Sequence, residues 1–502
     1  MRFTGLLVLA SLVGCAVGPN YHEPEVKVPD AFAEAGNAPA AAPTVSGDGA
    51  EAALIAWWQQ FGDAELQSLI QRAFESNLDL QSAASRIREA RDQEIIAGAA
   101  RLPQVSATGA AVNLHANSNP LGALGGGSAQ NGAAQGGGAS QGTSAADLKL
   151  YSAGFDATWE LDVFGAVRRG VQAAHASEEA SVWQLRDVRV SLSAEVAVDY
   201  LMLCATRERI TIVRDTIDRE KQTLELTDAR RKAGFVSGLD VNQQRAQLAA
   251  TSAQLPGLEA QERATVRSLT VLLAQSPEEV PEDLLQTAAQ FPAIPQTLPI
   301  AVPSDLLRRR PDVRAAERRL ASATAGVGVA VADLYPRFDL IAATTFASDS
   351  LNGLVSSRNF ARAGIGLIRW PVFQAGKGRA NVRAKEEQRQ QSYLSYRKAV
   401  LAALQDAEGA LSRFLAEQQA LKSRQEAQEA ADSSLSIARA QYESGVVPFL
   451  DVLTANSTLL QARGELVQSR MAFGQAAVSV YKALGGGWQQ TQAGAPAGAP
   501  ER

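Results

Sequence analysis

The stretch GFVSGLDV at residues 234–241 recurs as GVVPFLDV at residues 445–452, and this pair decides the fold. Both copies open with Gly and close with Leu-Asp-Val. Glycine tolerates the left-handed backbone conformation that ends many helices, and Asp suits the start of a new helix. Each stretch therefore predicts a tight reversal between two helices, and the chain predicts two such hairpins.

The repeat extends outward from these turns over most of the chain. Trp159 falls on Trp370 at the offset of the turns, 211 residues, whereas Pro103 falls on Pro336 at an offset of 233. The difference predicts one insertion of 22 residues in the first copy. The Gly/Ala/Ser/Gln tract at 117–144 accounts for it, since such a composition predicts a flexible, exposed loop.

Each copy predicts a helix ended by Pro, two strands, a very long helix, the Gly turn and a returning helix. The long helix carries the heptad Val196, Leu203, Ile210, Ile217 and Leu224, which is typical of a coiled-coil seam. At 1.5 Å per residue each long helix would extend roughly 90–100 Å, which suits a rod or a tube. The predicted helices are about 63–101, 168–233 and 239–275, then 304–333, 379–444 and 450–484, and the predicted strands are 104–114, 151–163, 338–346 and 360–370.

The strand at 151–163 alternates apolar and polar residues, with Tyr151, Phe155 and Trp159 on its apolar face. This pattern is typical of a lipid-facing strand with aromatic residues near the interfaces, although a single run also fits a soluble sheet. The strands at 104–114 and 360–370 are predicted only from their place in the repeat. Closing a barrel takes about eight strands, so a membrane-spanning chain with four would assemble as a dimer, trimer or tetramer.

The first residues predict a signal peptide. A short apolar run at 6–13 follows Arg2 and leads to Gly14-Cys15, which resembles the bacterial lipobox, although an ordinary signal peptide with an incidental Cys is the alternative. In a lipobox the Cys carries an S-diacylglycerol and an N-acyl group, so Cys15 is the predicted lipidation site. Ala16 in place of Asp favours the outer membrane. Cys204 would then be the remaining thiol, and its apolar surroundings predict a buried structural role.

Composition and motifs argue against several classes of protein. A well-mixed net charge of −5 over 502 residues gives no sign of nucleic-acid binding. The three histidines, His22, His115 and His175, stand in unrelated contexts, so we expect no catalytic residue, no metal and no cofactor besides the lipid. The glycines in 326–328 predict close helix packing, and the arginines 308–310 predict a solvated helix start.

The predicted domains follow the repeat. They are a signal peptide (1–14), an anchored extended segment (15–61), a first repeat (62–276), a Pro-rich linker (277–303), a second repeat (304–485) and a flexible C-terminal tail (486–502).

With these motifs in order, the chain resembles the TolC-type outer-membrane efflux family, in its OprM- and NodT-like lipoprotein branch. The matching stretches are 57–63, 77–80, 159–165, 306–313, 334–338, 370–373, 442–445 and 450–453.

The resemblance implies an internally duplicated α+β membrane protein in the outer membrane of a Gram-negative bacterium. Four strands from each chain of a homotrimer would form a twelve-stranded transmembrane β-barrel, continued through the periplasm by a long α-helical coiled-coil barrel. The implied function is a passive exit duct for small compounds such as drugs. The implied partners are outer-membrane lipid, a periplasmic adaptor (membrane fusion) protein and an inner-membrane pump of the RND type. A duct for secreted proteins and a coiled-coil scaffold without a pore are the alternatives.

The resemblance also assigns two sites. The hairpin tips would contact the adaptor, although they could be turns with no further role. Asp451 would place a carboxylate at the pore gate, with Thr454 where some relatives have a second acid and Tyr442 binding neighbouring helices in the closed state. The alternative for Asp451 is a helix N-cap. The predicted tip residues are Gly234, Phe235 and Val236 in the first hairpin and Gly445, Val446 and Val447 in the second.

Overall fold

The computed structural model describes residues 16–29, 32–33, 54–116, 146–286, 291–296 and 309–489. The predicted signal peptide, Cys15, the loop at 117–144 and parts of the linker and the C-terminal tail lie outside these ranges. Contacts divide the chain into two compact units, and the boundaries of the predicted domains, which follow the repeat, stay predictions. The first unit comprises residues 1–22, 91–176 and 321–391, and the second comprises 23–90, 177–320 and 392–502.

The predicted order of elements is confirmed in both copies. The helices are α1 (Ala64–Ser76), α2 (Leu78–Ala99), α3 (Ala166–Lys232), α4 (Gly238–Ser252), α5 (Leu255–Leu272), α6 (Glu282–Gln286), α7 (Pro311–Ala332), α8 (Lys377–Glu443) and α9 (Phe449–Ala483). The strands are β1 (Gln104–Ala116), β2 (Ala146–Leu161), β3 (Arg337–Ser348) and β4 (Phe360–Arg369). None of the helices in the described ranges is long and apolar enough to cross a membrane.

Two of the predicted helices are each divided in two. The helix predicted at 63–101 breaks at Asn77, whose side-chain oxygen accepts hydrogen bonds from the backbone N–H groups of Asp79 (2.9 Å) and Leu80 (3.2 Å). Asn77 thus caps α2, which competes with continuing α1. The helix predicted at 239–275 breaks after Ser252, and α5 restarts with Pro256 in its first turn, where the missing N–H is tolerated.

The four strands form one antiparallel sheet in the first unit, in the order β1-β2-β3-β4. The indole of Trp159 donates to the carbonyl of Arg101 (3.0 Å), and the indole of Trp370 donates to the carbonyl of Leu334 (3.1 Å). The same bond in both copies confirms the repeat in three dimensions. Every residue of β4 is exposed, and β1 and β4 each have one edge that pairs with no strand in the described chain.

The segment that follows the predicted lipidation site is held by Arg169, a buried residue in the first turn of α3. Its guanidinium donates to the carbonyls of Val17 (3.2 Å) and Gly18 (3.3 Å) and to the side chain of Asn20 (2.8 Å). Gly18 has φ +88°, and a Cβ there would lie 2.6 Å from the Cα of Gly328. The predicted close packing is therefore confirmed at Gly328 but not at Gly326, which has no described atom within 4 Å of its Cβ position. Arg169 fixes the segment at 17–20 within the first unit.

Replacing Arg169 with Ala is expected to free residues 16–22. Arg169→Ala removes several hydrogen bonds from a charged donor, each worth about 1.5–3 kcal/mol. A loss of roughly 1.4 kcal/mol already makes the equilibrium constant for opening of the segment tenfold more favourable. Amide exchange of peptides from residues 16–22 should speed up at least about tenfold in hydrogen–deuterium exchange measured by mass spectrometry. Arg169→Lys keeps the charge but lacks the forked donor and should fall between the two. Unchanged exchange in Arg169→Ala would show that another contact holds the segment.

Four of the five heptad residues of α3 are buried in the second unit. Val196 and Leu203 are 1% and 0% exposed, and Ile210 and Ile217 are 4% and 7% exposed, so the predicted seam is confirmed at these positions, whereas Leu224 near the tip is only half-buried. The same unit buries Cys204 completely, which raises the pKa of its thiol to about 12. The predicted structural role of this thiol agrees with that environment, because the reactive thiolate is suppressed.

The solvated helix start predicted at 308–310 is wrong for Arg310, which is 8% exposed in the second unit. Its guanidinium makes a bidentate pair with Asp312 (2.8 and 3.0 Å) and a further bond to Asp406 (3.1 Å). The remaining donors reach the carbonyls of Ala403 (3.5 Å) and Ala483 (3.1 Å). Arg310 occupies the place of Asn77 in the repeat, so a cap in one copy corresponds to a buried ionic junction in the other.

Candidate adaptor-contact and gate site

The two hairpin tips in the second unit share one backbone geometry. Gly234 and Gly445 have φ +83° and +78°. The residue after each Gly bonds back five positions, Phe235 N–H to the carbonyl of Arg230 and Val446 N–H to the carbonyl of Gln441, both at 2.9 Å. Each Gly N–H also bonds to the carbonyl three positions earlier. The two bonds together form a Schellman ending, in which glycine avoids the strain of a left-handed residue.

The tips present apolar side chains to solvent. Phe235 is 81% exposed and Val446 is 70% exposed, while Val236 and Val447 are half-buried. A backbone reversal explains the glycines, but it does not explain large apolar groups left in water at both tips. A contact surface for another protein does explain them.

The two returning helices begin differently. In α4 the Ser237 hydroxyl accepts from the N–H of Asp240, and the Asp240 carboxylate accepts from the N–H of Ser237, which forms a capping box. In α9 the N-cap is Pro448, which offers no side-chain acceptor. Asp451 is therefore not an N-cap, and that alternative is wrong. Its side chain is exposed and forms no hydrogen bond or ion pair with the described residues.

The other two predicted gate residues have local partners. The Tyr442 ring packs against the Phe449 ring at 5.2 Å, and the guanidinium of Arg230 lies 5.8 Å from the centre of the Tyr442 ring. Because Arg230 belongs to the first hairpin and Tyr442 to the second, this contact joins the two hairpins of one chain. Thr454 bonds back to the carbonyl of Leu450 (2.9 Å), as an exposed helical Thr commonly does.

A cleft of about 230 Å³, which was not predicted from the sequence, lies between the hairpins immediately behind the tips. Its charged residues include Glu220, which is 3% exposed. A signal for Glu220 was available, because it follows Ile217 by three residues and so occupies the second core position of the heptad. The cleft is lined by Arg219, Glu220, Thr223, Leu226, Thr227, Arg230, Gln244, Arg439, Tyr442, Glu443, Phe449, Val452, Leu453 and Asn456.

Two long helical hairpins with apolar tips, each preceded by a β-hairpin, define the class of long-helix channel proteins of bacterial outer membranes. The chain belongs to the outer membrane efflux protein family, whose model matches residues 69–275 and 302–486. This family consists of channels rather than enzymes. The chain is accordingly an outer-membrane efflux channel protein that extends into the periplasm of a Gram-negative bacterium. Its predicted fold class is confirmed, except that the assembly of twelve strands in a trimer stays a prediction.

Individual relatives agree along nearly the whole chain. The pyoverdine export outer membrane protein OpmQ of Pseudomonas aeruginosa is 35% identical over 450 residues, which is 87% of this chain and 88% of that protein. Nodulation protein T of Rhizobium leguminosarum bv. viciae is 29% identical over 503 residues, which is 99% of this chain and 95% of that protein. The solved structure of the outer-membrane channel OprN is 32% identical, with a TM-score of 0.80 over 95% of this chain and all of that one.

Proposed function

We propose that three copies of this chain form one passive duct, which receives small compounds from a periplasmic adaptor and an inner-membrane pump of the RND type. The sheet is the observation that carries the proposal. Its four strands leave two free edges and an entirely exposed β4. Free edges are normally covered, and closing a barrel takes about eight strands or more, so three sheets joined edge to edge would supply twelve.

Asp451 is the residue that we assign to the pore gate. Its carboxylate is exposed and unpaired at the start of α9, and threefold symmetry would repeat it three times on one ring. A ring of carboxylates attracts cations. Thr454, one turn further along, carries no charge, so one acidic ring rather than two is proposed. Tyr442 would hold the second hairpin against the first through its contact with Arg230.

The exposed apolar tips are the surface that we assign to the adaptor. They comprise Gly234, Phe235 and Val236 in the first hairpin and Gly445, Val446 and Val447 in the second. The relative OpmQ is named for pyoverdine export, so we propose export of small compounds rather than of proteins. The duct itself would perform no catalysis.

Lipid at Cys15 would anchor the chain in the outer membrane, and no other cofactor is proposed. Several acyl chains stabilise an anchor, at about 0.8 kcal/mol for each buried methylene. The Arg169 contacts support this assignment, since they fix the segment that begins one residue after Cys15 to the unit that carries the sheet.

Reconstitution into planar lipid bilayers tests the channel. The wild type is expected to have a trimeric mass in detergent and to pass ion current, and Asp451→Ala to raise the current at least about twofold and weaken its cation preference, because the carboxylate ring is removed. Asp240→Ala is the matched control, since it should cost about 1 kcal/mol of capping without changing selectivity. A stable protein that passes no current in either form would favour the coiled-coil scaffold.

A further inference from the structure

Glu220 of α3 contacts both hairpins at once. Its Oε1 accepts hydrogen bonds from Gln247 (3.3 Å) and Thr251 (3.2 Å), which belong to the first hairpin. The same oxygen accepts from the amide of Asn456 (3.0 Å), which belongs to α9 in the second hairpin. This carboxyl group is therefore a direct polar link between the hairpins behind their tips.

The second oxygen of the same carboxyl group is not satisfied. Oε2 of Glu220 is shielded from solvent and has no hydrogen-bond partner among the described residues. Burial raises the pKa of Glu220, and the hydrogen bonds from Thr251, Gln247 and Asn456 oppose that effect without cancelling it. An ionised carboxylate with an unpartnered buried oxygen is costly, so the packed arrangement favours the neutral acid.

Among the described residues, the charged side chains near Glu220 form no hydrogen bond with its carboxyl group. Arg219 and Arg230 line the adjacent cleft from α3, and Arg439 and Glu443 line it from α8, yet no hydrogen bond joins any of them to Glu220 within the described ranges. The groups that contact the carboxyl from α4 and α9 are uncharged. If the hairpins separated, water and these arginines could stabilise the charged form.

We propose that Glu220 is a proton-dependent joint between the two hairpins, which holds the second tip firmly when neutral and loosely when ionised. The pH dependence of hairpin packing stands on the contacts of Glu220 alone. Its effect on the opening of the duct rests on the proposed function.

The direction of the pH effect follows from the raised pKa. At low pH Glu220 is neutral whether the hairpins are packed together or separated, so its burial adds no charge-related cost to the packed arrangement. The cost grows as the pH rises from the ordinary glutamate value of 4.5 to the raised one, and it stays constant above that. A pKa difference of one unit would change the ratio of loose to packed hairpins by up to about tenfold.

Spin labels on the two tips would measure this ratio in the full-length trimer. Ala233→Cys and Ser444→Cys, both at exposed positions, would carry the labels, and Cys204 would not react because it is buried with a thiol pKa of about 12. Double electron–electron resonance should show a narrow distance distribution at low pH and at least a several-fold larger broad component at high pH. Glu220→Gln, which mimics the neutral acid, should remain narrow at both pH values.

Two further variants keep the test decisive. Glu225→Gln changes an exposed acid on the same helix and should behave as the wild type. Asn456→Ala removes the bond between the hairpins and should be broad at both pH values, even if Glu220→Gln fails to assemble. The proposal would be overturned if the distance distribution broadened equally at high pH in Glu220→Gln and in the wild type, or if pH had no effect on the wild type. Because the measurement needs no current, failure of the channel proposal would be recognised separately.

Discussion

Replacing Arg310 with Ala is expected to lower the free energy of unfolding by about 3–5 kcal/mol, as is typical when one partner of a buried ion pair is removed. The change would leave the carboxylate of Asp312 and the carbonyls of Ala403 and Ala483 without their donor. With an unfolding entropy of about 2.1 cal/mol/K per residue, a chain of this size should lose roughly 3–5 °C in Tm. Circular dichroism of the detergent-solubilised protein would measure this loss.

Arg319→Ala provides the matched control, because Arg319 is exposed on α7, the helix that Arg310 immediately precedes. Its removal should change the free energy of unfolding by less than about 0.5 kcal/mol. Arg310→Lys should recover only part of the loss, since an ammonium group cannot make the bidentate pair with Asp312 and reach both carbonyls. If Arg310→Ala melts together with Arg319→Ala, the buried junction contributes nothing to stability.

Substituting Trp at Gly445 is expected to abolish efflux while leaving the trimer intact. Among the described residues, no atom lies within 4 Å of the position that a Cβ would take at Gly445, so there is room for a side chain, although the φ of +78° strains any residue that has one. An indole would in addition project from the proposed adaptor surface. We expect at least about a hundredfold loss of adaptor affinity, equivalent to roughly 2.7 kcal/mol. Ethidium efflux would report it in cells that supply the cognate adaptor and pump.

Gly445→Asn separates backbone strain from the contact itself. Asn tolerates the left-handed conformation better than other residues with a side chain, and it is small and polar. Gly445→Asn should therefore keep most of the efflux. At Gly234, the Asn variant should likewise retain more efflux than the Trp variant. Equal loss in the Trp and Asn variants, with the trimer preserved, would point to the turn geometry rather than to a contact.

The sequence was informative wherever a feature was periodic or duplicated. The heptad of α3 predicts its buried face because the seam depends on spacing alone, and β4 is predicted from its place in the repeat despite poor alternation. Features that depend on distant partners were not accessible. Arg310 stands in a run of three arginines that suggests a solvated surface, yet it is buried by Asp406 and Ala483, which are far away in the chain.

Side chains that hydrogen-bond to the nearby backbone are a second reason why some features were not predicted from the sequence. The first predicted helix gave no sign of ending at Asn77, because the break depends on one amide that caps the next helix. The distinction between Asp240 and Asp451 also escaped the sequence analysis, since both follow a Leu at equivalent places. Only the residue three positions earlier, Ser237 or Pro448, decides whether the carboxylate is used within its own helix.

That difference in capping has a consequence for the symmetry of the proposed assembly. A duplicated chain taken three times gives six hairpins with approximate sixfold symmetry, and equivalent acids would give six unpartnered carboxylates. Ser237 engages the carboxylate of Asp240 in the capping box, so only the three Asp451 carboxylates would be left without a partner in their own helix. Duplication thus gives one copy in which the acid caps its own helix and a second copy in which the equivalent acid is free to take the proposed role at the gate.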